Sequence, residues 1–228
     1  MKIQQRGFRE GGFNRIELVA VLAVLTLLAT IVWPALAAPR PRSLLSECAN
    51  NLRQTGQGLL TWAASHNEQF PWVVPWGTEG GAKDAGLSSS WVSFLVASNE
   101  LGTPLSLVCP ADPARTQSRS FSIGAALGAA NVSYFVGLHG SLDRPQAWLA
   151  GDNNLGGVGG QTCGVAQVTN ISFALTNGTV WLPSVHLNAG NLLLTDGSVS
   201  QVSNRNLTNF IARAQAQDWE NAIHLLMP

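Results

Sequence analysis

The stretch "RIELVAVLAVLTLLATIVWPALAA", residues 15–38, constrains this 228-residue chain more than any other. From Leu18 to Pro39 it carries no charged residue. At 1.5 Å per residue such a helix is long enough for the roughly 30 Å apolar core of a bilayer. Lys2, Arg6 and Arg9 outweigh Glu10 ahead of it, so the positive-inside tendency keeps the N-terminus in the cytoplasm and exports everything after Arg40. A cleavable secretory signal competes with this reading, because "ALAAP" at 35–39 offers an A-x-A-like site. The apolar run exceeds the usual 7–15 residues of such signals, which argues for an anchor. Glu17 stands at the entrance of the run, where a carboxylate is costly unless it has a partner.

The segment "GGFNRIELVAVLAVLTLLATIVWPAL" resembles the N-terminus of type IV pilins and type II secretion pseudopilins. The resemblance implies cleavage between Gly12 and Phe13 by a prepilin peptidase, then N-methylation of Phe13. It places Glu17 fifth in the mature chain, where it would meet the N-terminal amine of a neighbouring subunit during assembly. Pro34 falls where these proteins often carry a helix-bending proline. One departure is plain: Asn14 and Arg15 stand where the family has a small polar residue and a leucine. Arg15 could snorkel to headgroups or compete for Glu17.

Charged residues are only 11% of the chain, against about 25% in typical soluble proteins. The 13 Lys+Arg are balanced by 13 Asp+Glu with no dense run, so no nucleic-acid partner is expected. With 23 glycines and 8 tryptophans the composition suits a turn-rich β domain with large apolar anchors. Cys48, Cys109 and Cys163 lack any CxxC spacing, which argues against a zinc site; an exported chain could pair two of them. Over 40–70, Leu45, Cys48, Leu52, Leu59 and Ala63 form an apolar stripe completed by Gly56, with Ser43 as a candidate cap and Pro71 as the stop. The expectation is one long helix bent near Pro34 and Pro39. Two helices joined at 39–43 is the alternative.

The resemblance continues in "CANNLRQTGQGLLTWAASHNEQFP", in "LVCPAD" at 107–112 and in His186 followed nine residues later by Asp196-Gly197. These are similar to a group of bacterial pseudopilin-like proteins with a C-terminal H-x9-DG motif. That likeness implies a disulfide between Cys48 and Cys109; two buried free thiols is the other reading. From physics alone "LLLTDGSVSQ" is a β-hairpin, with Asp-Gly in a type I′ turn that needs positive φ at both positions. That explains Asp196 and Gly197 but not His186. Short β-like runs such as "LSLVC", "VSYFVG", "QAWLAG" and "ISFALT" predict an antiparallel sheet. "SNRNLTNFIARAQAQDW" reads as a closing amphipathic helix.

The expected organisation is a leader at 1–12, a transmembrane helix at 13–39, an amphipathic helix at 40–70 and a periplasmic or extracellular head at 71–228. The fold class is α+β, a long N-terminal helix packed on a mainly antiparallel sheet. The resemblance implies a non-catalytic structural subunit of a type II secretion pseudopilus or pilus-like filament, resident in the bacterial inner membrane. Its partners would be the prepilin peptidase, sibling subunits, the inner-membrane secretion platform and lipid. A membrane-anchored binding module for polysaccharide or secreted cargo is the alternative, with Trp72, Trp76 and Trp91 as its contact surface. No cofactor is assigned; were calcium bound, Asp152, Asn154 and Asp196 would supply its oxygens. The chain has no G-x-S-x-G, H-E-x-x-H or phosphate-loop motif, so no enzyme is expected; His66, His139, His186 and His224 are scattered along it.

Overall fold

A computed structural model describes residues 14–32, 41–77, 79–83, 85, 89–122, 127–157, 159–163, 168–174, 178–217 and 223–228. The chain divides into two compact units, Met1–Pro39 and Arg40–Pro228. In the first, helix α1 runs Arg15–Val32. Its start is set by Asn14, whose side chain accepts from the Ile16 N–H, while Glu17 Oε2 accepts from the Asn14 N–H at 3.0 Å. Asn14 thus caps the second helical N–H, and Glu17 supplies the return half of a capping box to the Asn14 N–H. Ile16, Leu18, Val19, Val24, Leu25 and Leu27 are all more than half exposed. The Thr26 and Thr30 hydroxyls bond back to carbonyls one turn earlier, so neither needs water.

The expected N-terminal architecture is corrected here. No helix among the described residues is long and apolar enough to cross a membrane. Arg15 and Glu17 occupy the first turn of α1, and its described apolar part, Leu18 to Val32, covers about 22 Å at 1.5 Å per residue, against about 30 Å for a bilayer core. The helix that packs on the sheet is α2 (Pro41–Ala64), in the second unit. Pro34, Pro39 and the rest of 33–40 lie outside the described residues.

The second unit is α+β with an antiparallel sheet. After α2 its helices are α3 (Ser90–Val96), α4 (Ser98–Leu101), α5 (Pro183–His186) and α6 (Asn204–Ala216), and its strands are β1 (Tyr134–Gly137), β2 (Trp148–Asp152), β3 (Leu155–Gly156), β4 (Gly159–Cys163), β5 (Val168–Ala174), β6 (Val180–Trp181), β7 (Ala189–Leu194), β8 (Val199–Ser203) and β9 (His224–Leu226). Seven of them form one sheet in the order β4-β5-β9-β1-β2-β7-β8, and β3 pairs with β6. Period-two alternation sorts the side chains. Tyr134, Val136 and Leu193 join Cys48, Leu52, Leu59 and Ala63 of α2 in one core. Phe135, Leu192 and Leu194 join Leu207, Ile211 and Ala214 of α6 (Asn204–Ala216) in the other. The sheet therefore has α2 on one face and α6 on its opposite face, which is why β1 and β7 read as nearly continuous apolar runs. Gly56 lets α2 approach closely: a Cβ there would stand 2.7 Å from a Leu193 methyl.

The hairpin joining β7 to β8 differs from the expected type I′ turn. Only Gly197 has positive φ (83°), and the Gly197 N–H donates to Leu194 O while the Leu194 N–H donates to Ser198 O. The loop is thus three residues, Thr195-Asp196-Gly197, a turn closed by a left-handed glycine. Asp196 Oδ1 accepts the Ser198 N–H at 2.8 Å, the ordinary local use of Asp in a turn.

Candidate functional site

The concentration of polar chemistry in the head lies between the first half of α2 and the sheet. Cys48 is carried on the apolar stripe of α2. Cys109 follows the 3-10 helix Pro104–Leu107, whose Pro start and Thr103 cap deliver it to that stripe. They form a disulfide with Cα atoms 4.8 Å apart, and the Asn51 side chain donates to Val108 O beside it. Such a bond belongs to an oxidising, non-cytoplasmic environment.

His186 ends the short helix α5 (Pro183–His186) and is buried. Its Nε2 lies 3.2 Å from Cys109 Sγ and 3.4 Å from Asp152 Oδ2. The backbone that holds it there is strained. Leu187 and Asn188 both have positive φ, 51° and 67°, and for a leucine that conformation is unfavourable by about 1–2 kcal/mol. Through those two residues the chain turns from α5 into β7 with His186 facing inward and Leu187 left exposed.

Asp152 ends β2 and pairs across the sheet with Tyr134. Its Oδ2 accepts from the Asn191 backbone N–H at 2.7 Å and from Asn191 Nδ2 at 3.0 Å. The same Asn191 amide donates to Leu45 O of α2, and the Tyr134 hydroxyl donates to Cys48 O. Helix, disulfide and sheet are thereby joined through one polar network. Burial dominates the titration of both ionisable groups. It pushes the Asp152 carboxyl up to about 7 against the two Asn191 bonds that favour its charged form. It pushes the His186 imidazole down to about 4, opposed by the Asp112 charge. Near neutral pH the imidazole is therefore neutral and the carboxyl about half protonated. Because Nε2 faces both the sulfur and the carboxylate, the ring cannot relay a proton between them as a nucleophile–base–orienter array requires.

The two shifts oppose each other in stability. A raised carboxyl binds extra protons in the folded state, so its contribution falls as pH rises from about 4 to 7. A lowered imidazole binds fewer, so its contribution rises with pH from about 4 to 6.5. The wild-type slopes largely cancel across their shared window. Asp152→Asn removes the falling component, so its stability relative to wild type should climb by on the order of 2–4 kcal/mol between pH 4 and 7. Urea unfolding of both proteins at pH 4, 5.5 and 7 checks this; parallel curves would contradict it.

Other anticipated site residues are dispersed. Gly12 and Phe13 lie outside the described residues. His186 and Asp196, the ends of the H-x9-DG spacing, sit before and after β7, at opposite ends of that strand. Asp196 is exposed, whereas Asp152 and Asn154 are buried near the start of β7, where Asn154 Nδ2 donates to Leu182 O and Ala189 O. The three oxygens proposed for calcium do not converge. Trp72 belongs to the core and donates to Leu138 O, Trp91 is half-buried against that core, and Trp76 is 47% exposed over a shallow hollow with Leu95 and Val96. Of the dispersed histidines, His139 and His224 meet at 2.9 Å across buried rings, and His66 stacks on Trp62.

Sequence reasoning missed Asn191 and Tyr134. The signal for Asn191 was present: a lone amide inside "GNLLLT", a strand that is otherwise apolar, has to be satisfied when buried. Comparison with protein-family models, with curated proteins and with solved structures finds no match to this chain.

Proposed function

We propose that the chain is a pilin-like structural subunit, processed by a prepilin peptidase and assembling through its N-terminal helix into a type II secretion pseudopilus or a pilus-like filament. The observation that carries this reading is α1, an apolar helix with its side chains exposed along its length and with Glu17 in its first turn. A run of exposed large apolar residues on this scale marks an interaction surface. The phenylalanine and the glutamate four residues later supply the processing and pairing groups that the pilin-like pattern requires. The finer localisation that goes with this reading is the bacterial inner membrane, with the disulfide-bonded head on its outer side and sibling subunits and the secretion platform as partners.

Mass spectrometry of the chain extracted from native membranes tests the processing step. The expected N-terminus is N-methylated Phe13. An intact Met1, or a start near Pro39, would replace this reading with a plain anchor or a secretory signal.

A second reading keeps one observation, the exposed Trp76 ring above the Leu95 and Val96 hollow, which suits stacking on a sugar. It makes the head a polysaccharide- or cargo-binding module. The burial of Trp72 and the partial burial of Trp91 leave it a much smaller contact surface than three tryptophans would.

A further inference from the structure

Cys48, Cys109 and His186 present three ligand atoms within 4.8 Å of one another, and all three residues are buried. Asp152 Oδ2 lies 3.4 Å from the same His186 nitrogen. We propose that, when the Cys48–Cys109 disulfide is reduced, these four side chains form a closed tetrahedral site for a divalent zinc-class ion. The proposal is independent of the pilin-like reading.

Two of the ligand–ligand distances are those of such a site. With Zn–S of about 2.3 Å and Zn–N or Zn–O of about 2.0 Å, the edges of a tetrahedron are about 3.5 Å for N···S and about 3.3 Å for N···O. The structure holds Cys109 Sγ and Asp152 Oδ2 at 3.2 and 3.4 Å from His186 Nε2 while the sulfurs are still bonded to each other. On reduction the sulfur–sulfur edge must lengthen and Cys48 Sγ, within 4.8 Å of the other two ligand atoms, must close on the imidazole; rotation about the two cysteine side chains supplies both movements. The donor set, two thiolates, an imidazole and a carboxylate, is the borderline-soft set zinc selects over calcium or magnesium. Its supports are also in place. Asn191 orients Asp152 through two hydrogen bonds, as outer-shell partners orient metal ligands. His186 Nδ1, which has no hydrogen-bond partner among the described residues, becomes the atom that carries the ring proton in the metal-bound form. The strained turn at Leu187 and Asn188 holds the imidazole against the Cys109 sulfur, although a disulfide has no need of it.

The chemistry balances with a dithiol as co-reactant. The dithiol gives two electrons and two protons, its own S–S bond forms, the Cys48–Cys109 bond breaks and two thiols result. Zinc then binds both sulfurs as thiolates and releases their two protons; a third leaves if Asp152 was protonated. Disulfide and metal would clasp the same two places, α2 and the segment after the 3-10 helix, under oxidising and reducing conditions respectively. Absence of CxxC spacing does not by itself exclude zinc, because a fold can gather its ligands from 48, 109, 152 and 186.

The test uses the full chain in detergent, in a Cys163→Ser background so that only two thiols remain, reduced with a phosphine and titrated anaerobically with Co²⁺ and then Zn²⁺. The expected result is one ion per reduced chain. Cobalt should give thiolate charge-transfer absorption and the intense visible bands of a tetrahedral ion, both erased by Zn²⁺. The oxidised chain should give neither. His186→Ala should weaken binding at least tenfold, and Asp152→Asn should weaken it less while altering the visible bands. If reduction loosens the head, Zn²⁺ should restore cooperative thermal unfolding to the reduced chain and not to reduced His186→Ala. Absence of binding, failure of zinc to restore the reduced head, or equal affinity in His186→Ala would overturn the proposal.

Discussion

Replacing Cys109 with alanine should lower the unfolding free energy of the metal-free head by about 4–5 kcal/mol. Cys48 and Cys109 are 61 residues apart, and in the chain-entropy description closing a loop of that length restrains the unfolded ensemble by about 4 kcal/mol at 25 °C. A second cost adds to it. The bond is the covalent member of a network in which Asn51 donates to Val108 O and Tyr134 donates to Cys48 O, so its loss loosens the seat of α2 on the sheet. For a unit spanning 40–228 this corresponds to a fall in midpoint of about 10 °C. Thermal unfolding of the full chain with a chelator present measures it, and reduction of the wild type should reproduce most of the effect. A midpoint shift of one or two degrees would mean that α2 is held by packing alone.

Glu17→Ala and Glu17→Gln should separate the two roles this carboxylate can have. Within its own chain Glu17 closes a capping box with Asn14, a contact whose loss costs about 1 kcal/mol of helix stability. A glutamine keeps an oxygen that can accept the Asn14 N–H but gives up the charge. If capping were the whole role, the glutamine variant would behave as wild type and only alanine would be impaired. In the pilin-like reading both variants lose the attraction to a neighbour's terminal amine, and both should abolish recovery of assembled material, at least a hundredfold. Arg15 is not the partner that its position in sequence offers: among the described residues Glu17 is bonded to Asn14. Quantifying sheared or pelleted assemblies for the two variants decides between these outcomes.

The antiparallel sheet and the C-terminal helix were legible because their signals are local. Apolar residues alternate or recur with a helical period, and Gly197 marks a turn whose three-residue form only the backbone angles reveal. The apolar stripe of α2 was legible for the same reason. The polar cluster was not, because its members come from α2, the segment after a 3-10 helix, the end of β2, α5 and β7. Only the strand order β1-β2-β7 brings Tyr134, Asp152 and Asn191 side by side. The H-x9-DG spacing pointed to His186 while implying a partnership with Asp196 that β7 forbids by standing between them. At the N-terminus, the apolar run predicted a membrane span. Among the described residues no helix is long and apolar enough to cross one, and α1 carries Arg15 and Glu17 in its first turn.

Assembly through the N-terminal helix is tested most directly by zero-length carbodiimide coupling of native assemblies built from mixed ¹⁴N- and ¹⁵N-labelled chains, followed by peptide mass spectrometry. The expected product is an amide joining the Phe13 amine of one isotopic chain to Glu17 of the other. Glu17 uncoupled, or coupled only within chains of a single label, would contradict assembly through α1.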